Sequence, residues 1–72
     1  LGRSAPVTIK IFNPAGRLKR TVVENEMLEA GTNVKTWDGR DQENQIVASG
    51  IYIVCVEAAG EILTRTVMVV NN

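Results

Sequence analysis

A chain of 72 residues with one cysteine, no histidine, and eight Lys and Arg set against eight Asp and Glu is one small domain with no net charge. The charge balance argues against a polybasic nucleic-acid surface and against an acidic binding tail. The single Cys55 excludes an internal disulfide, and without histidine or a second cysteine zinc has no plausible ligand set.

A domain this short buries only roughly 60% of the surface its unfolded chain exposes. Partner contacts or a further piece of the domain are then the ways left to complete its core. Leu1-Gly2-Arg3-Ser4 precedes a strand pattern and not the apolar core of a signal peptide. No apolar run reaches the length of a membrane span, so membrane insertion is not expected. The chain begins without methionine and reads as a piece of a longer protein, so its own first residues do not report the destination of the whole.

Pro6 marks the entrance to a first strand, in which Val7, Ile9 and Ile11 alternate with Thr8, Lys10 and Phe12. Asn13-Pro14-Ala15-Gly16 breaks it. Pro14 presets φ for the second turn position and Gly16 accepts positive φ, which predicts a tight hairpin. A second strand is expected from Arg17 to Glu24, with Leu18, Val22 and the stem of Arg20 on one face, and Lys19, Thr21 and Val23 on the other. Asn25 to Gly31 reads as a connection with a short helical turn, too short for a stable independent helix. Met27 or Leu28 would lid an open end of the core. From Gly31 an extended segment carries Val34 on one face and Trp37 on the other.

Gly50 opens the clearest strand, Ile51 to Ala58. Tyr52, Val54 and Val56 alternate with Ile51, Ile53 and Cys55, so both faces are apolar and a central strand covered on both sides is expected. Ala59-Gly60 turns the chain into a last strand, Ile62 to Val70. About five or six short strands with Gly- and Pro-rich turns predict an all-β fold, a small immunoglobulin-like or fibronectin-III-like β-sandwich. That count falls short of the usual seven or so, which fits a domain lacking its first strand.

The clustered carboxylates are Asp38, Asp41 and Glu43. Asp38 precedes Gly39, and both aspartates are placed to accept backbone N–H groups across turns. A calcium loop would need several converging oxygens, and Arg40 stands where the second ligand belongs. A glycosidase pair would need a cleft. Arg40 has two readings, an exposed ion pair or a fork clamping loop carbonyls. Cys55 has no histidine to activate it, Ser49 lacks the Gly-x-Ser-x-Gly frame, and the glycines sit at turns without forming a phosphate loop. Trp37 reads as a packing anchor; a stacking platform for sugars would need more aromatics than one Trp, one Tyr and one Phe. No catalytic residue, metal ligand or cofactor site is assigned.

Five segments in order carry a resemblance: Val7 to Leu18, Ala30-Gly31, Trp37-Asp38-Gly39-Arg40-Asp41, Val47-Ala48-Ser49-Gly50-Ile51-Tyr52, and Thr64 to Val69. Together they resemble the immunoglobulin-like domain of the bacterial flagellar hook-capping protein, a domain type that recurs at the C-terminus of secreted bacterial enzymes and surface proteins. The C-terminal sorting domains of Bacteroidetes secretion substrates share the Gly16 hairpin and Gly50-Ile51-Tyr52 but generally lack the Trp37 to Asp41 element. The resemblance implies a sandwich core of Ile9, Ile11, Leu18, Trp37, Tyr52, Val54, Val56, Val67 and Val69. It also implies a structural loop built on Trp37, Asp38, Gly39, Arg40 and Asp41 and closed by Gly50 and Tyr52. Where the family usually has Gly in the loop this chain has Asn44-Gln45, and Asn tolerates the left-handed region. The family's upstream strand is absent, which would expose an edge.

The expectation is therefore a single domain over 1–72, the C-terminal part of a larger secreted or cell-surface bacterial protein. It would be a non-catalytic structural or accessory module acting through protein–protein or interdomain packing. Its partner would be the preceding domain or another chain, with edge-strand pairing as one mode. The alternatives are the hook-capping assembly protein itself and a carbohydrate-binding accessory module using Trp37 and Tyr52.

Overall fold

The computed structural model describes residues 5–28 and 36–71. Among them are four strands and no helix: β1 (Ala5–Phe12), β2 (Leu18–Leu28), β3 (Gly50–Ala58) and β4 (Glu61–Val69). They form one antiparallel sheet in the order β2-β1-β3-β4. The chain is all-β, and its described residues form four strands of a small immunoglobulin-like domain. The proposed extended segment from Gly31, with Val34, lies outside the described residues apart from its end at Thr36-Trp37.

Register decides which side chains share a face. Ile9 opposes Val56, Ile11 opposes Val54, and Tyr52 opposes Val67, which gathers these residues on one face. Ile11 and Tyr52 are buried there with Val47 from the loop before β3, and Val22, Trp37, Val54, Val67 and Val69 pack around them. The segment from Thr36 to Ser49 thus supplies the layer over this face. The opposite face carries Phe12, Ile51, Ile53, Cys55 and Met68. β3 is central, as its pattern predicts, but its second face is not covered as expected: Ile51 and Met68 are exposed.

β2 departs most from expectation. It does not end at Glu24; it runs to Leu28, pairing Val7 with Glu26, Pro6 with Met27 and Ala5 with Leu28. No helical turn forms there, because the first strand supplies backbone partners that a local helix-forming preference cannot outweigh. Asn25 takes φ 48° at an irregularity and donates its N–H to Thr8 Oγ1 at 3.0 Å. Met27 lies exposed and lids nothing; the side chain of Leu28 lies outside the described residues.

Bulges also sort the β2 side chains. Ile11 opposes Arg20 but the next residue, Phe12, opposes Leu18. The extra residue turns Leu18 onto the outer face, 42% exposed, and it is not a core residue. A second irregularity, between Ile9 and Lys10, lets consecutive Val22 and Val23 both point inward: Val23 is buried and Val22 packs on the core. Ala5, Val7 and Val47 are buried too, and none belonged to the expected core.

Both hairpins follow their turn residues. In the first, Gly16 N–H donates to Asn13 O, Arg17 N–H to Asn13 Oδ1, and Gly16 takes φ 85°. In the second, Ala59 (φ 52°) and Gly60 (φ 79°) have the paired positive φ of a two-residue type I′ turn.

Candidate functional site

The loop between β2 and β3 is built from short-range polar contacts. Asp38 Oδ1 accepts Arg40 N–H at 3.1 Å, the two-residue reach of an Asx turn around Gly39. Asp41 does more. Its Oδ1 accepts Glu43 N–H and Gln45 N–H, each at 2.9 Å, and its carbonyl accepts Asn44 N–H at 3.0 Å. Asn44 sits at φ 63°, the left-handed position expected of it. Arg40 pairs with Ile46 in an isolated bridge, and Val47 N–H reaches Gly39 O, so the loop folds back as a miniature hairpin. The Arg40 guanidinium donates to Asn44 O at 3.0 Å, which is the carbonyl-clamping reading and not the ion pair.

Contacts within the loop and to β3 and the residues after β4 hold this hairpin in place. Trp37 Nε1–H donates to Arg40 O at 2.9 Å, and its ring meets Tyr52 edge-on, with centroids 5.7 Å apart and planes at 67°. Tyr52 O–H donates to Ala48 O at 2.7 Å. At the chain's end Asn71 holds the same loop, its side-chain amide donating to Val47 O and its N–H to Ser49 Oγ. Gly50, at φ 154°, starts β3 directly after.

A contact absent from the sequence reading joins the loop to the sheet edge. Gln42 N–H donates to Lys19 O at 2.8 Å, and Gln42 Oε1 accepts Thr21 N–H at 2.9 Å. Arg20 adds a bond from its guanidinium to Asp41 O. Gln42 therefore occupies the outward-facing backbone groups at this end of β2. Nothing local in Asp41-Gln42-Glu43-Asn44 signals a partner 21 residues away. The burial of Val47 had a fainter sign: an apolar residue at the loop's exit.

The structure brings Trp37, Asp38, Gly39, Arg40, Asp41, Gly50 and Tyr52 into one neighbourhood. Trp37 Nε1, Asp38 Oδ1, Arg40 Nη1, Asp41 Oδ1 and the Tyr52 hydroxyl all bond to backbone groups, an arrangement that positions a loop. Among the described residues no group of three or more acidic, cysteine or histidine side chains converges as a metal site. A depression of 120 Å³ lies between Arg20, Val22, Thr36, Trp37 and Asp38. It is well below the roughly 300–1,000 Å³ of small-molecule pockets.

No curated protein and no solved structure matches the chain. The family model described as the FlgD Ig-like domain matches residues 2–61, from ahead of β1 to the first residue of β4. That span contains the hairpin at Gly16, the Asx-turn loop and the whole of β3, so the chain belongs to the FlgD Ig-like domain family, the immunoglobulin-like domain type of the flagellar hook-capping protein.

Proposed function

We propose that this domain is a non-catalytic packing module of a secreted or cell-surface bacterial protein, the C-terminal part of its chain, docking against the preceding domain or a separate protein. The observation that carries the reading is the division of the sheet into two unlike faces. One is closed by the loop, which Asp38, Arg40 and Asp41 hold through bonds to its own backbone. The other presents Phe12, Leu18, Ile51, Ile53 and Met68 without a covering layer among the described residues. A contiguous apolar face on which Leu18, Ile51 and Met68 are exposed suits a protein contact. Family membership supports the same class of role and favours, as the specific setting, a flagellar hook-assembly protein. A glycan-binding role has less support, since the Trp37 indole N–H is taken by Arg40 O and its ring lies edge-on to Tyr52.

The test is an amide-resolved NMR titration of the labelled domain with the remainder of its parent polypeptide and, separately, with hook protein from the same organism. Shifts confined to Phe12, Leu18, Ile51, Ile53 and Met68 and their neighbours are expected with one of them. Absence of shifts with both, or turnover of a substrate by the domain alone, would refute the reading.

A further inference from the structure

The two edges of the sheet are not equivalent. On the β2 side Gln42 takes the carbonyl of Lys19 and the N–H of Thr21. On the β4 side no described strand pairs with the outer edge; there the Arg65 guanidinium donates to Thr64 O at 3.2 Å, and Ile62 and Leu63 are exposed at 63% and 57%. The phase of the hairpin gives the polarity of that edge. A two-residue turn closes on a hydrogen-bonded pair, here Ala58 with Glu61, and bonded and non-bonded pairs then alternate along the ladder. Leu63, Arg65, Val67 and Val69 therefore direct their backbone groups at β3. Ile62, Thr64, Thr66 and Met68 direct theirs outward.

We propose that this edge pairs antiparallel with the same edge of a second copy of the chain, in one register, with Leu63 on the two-fold axis. Charge selects the register. Full overlap of the two β4 strands would set Arg65 against Arg65 of the other copy in a close, non-bonded pair, and like charges directly opposite are unfavourable. Moving the axis to Leu63 sets Glu61 against Arg65 at both ends and Leu63 against itself. Ile62 and Thr64 then exchange backbone hydrogen bonds, and the Arg65 guanidinium leaves Thr64 O for Glu61 of the other copy. Opposed Glu and Arg pairs repeat on both sides of the axis, as an isologous contact requires. Arg65 thus acts in two ways: it disfavours the fully overlapped register, and it specifies a shorter one. The contact spans residues 61–65 of each copy, so it is weak and concentration-dependent. The inference rests on the packing-module reading only in treating the domain as a contact surface.

The experiment is disulfide trapping in a Cys55→Ser background, comparing Leu63→Cys, Arg65→Cys and Val67→Cys under the same oxidised-glutathione buffer. Each single thiol is self-opposed in a different register. Preferential dimer formation by Leu63→Cys is expected, and preference for either other position would overturn the register. Sedimentation equilibrium without cysteines supplies the second arm. Glu61→Arg should weaken dimerisation about tenfold and the Glu61→Arg/Arg65→Glu exchange should restore it. A chain monomeric at about 1 mM overturns the proposal while leaving docking through the outer face intact.

Discussion

Asp41 is the side chain on which the loop most depends. One carboxylate oxygen holds the N–H groups of Glu43 and Gln45, and the carbonyl of the same residue holds Asn44 and Arg20. Asp41→Ala removes the first pair and leaves water as the substitute at a half-exposed site, so a loss of about 1–2 kcal/mol is expected from urea unfolding. Asp41→Asn retains an acceptor oxygen and should cost less than half as much. Tyr52→Phe deletes the part-buried bond to Ala48 O and leaves the ring in place against Trp37, for an expected loss of about 1 kcal/mol by the same measurement. Asx bonds reach two to four residues, so residue type and spacing alone carry them. The pairing of Gln42 with Lys19 and Thr21 is written nowhere locally and became visible only once the loop was placed against β2.

At the scale of elements, turn chemistry and alternation were readable and bulges were not. Gly16 and Gly60 sit at φ 85° and φ 79°, where the turn residues pointed, and β3 and β4 begin and end within a residue of their apolar patterns. β2 departs from its sequence pattern because a bulge changes the face of every residue beyond it. That is how Leu18 left the core while Val23 entered it. The Asn25 irregularity, likewise, let the strand continue through Glu24-Asn25-Glu26 where composition favoured a helical turn. The β3–β4 hairpin contains one poor local choice. Ala59 occupies the left-handed region at φ 52°, a conformation costly for an L-residue with a Cβ and cheap for Asn. Ala59→Asn creates the Asn-Gly pair that type I′ turns prefer, and should raise stability by about 0.5–1 kcal/mol in urea unfolding. A loss on this substitution would mean that the added carboxamide is not accommodated at this turn.

For the whole molecule, the consequential property is that one face of the sheet is covered by the loop and the other is covered by no described residue. Composition could not separate them, because β3 is apolar on both sides and its pattern predicts two covered faces. The difference comes from the loop: Trp37 and Val47 close the face holding Ile11 and Tyr52, and no described residue does the same for Ile51 and Met68. The two faces should therefore respond oppositely to substitution. Val47→Ala truncates a buried side chain and should cost about 2 kcal/mol. Ile51 and Met68 oppose each other across β3 and β4 and stand 47% and 71% exposed. Replacing both by Thr preserves strand preference and removes apolar surface that folding does not use. Stability should stay within about 0.5 kcal/mol of the parent, while affinity for the partner proposed to dock on this face falls. Urea unfolding of the two variants, set beside the NMR titration of the double variant, separates the outcomes. If the Thr pair destabilises the domain as much as Val47→Ala, the outer face belongs to the core and the division of labour between the faces is wrong. If stability holds and binding weakens, that face is a docking surface and the loop-covered face is the scaffold that presents it.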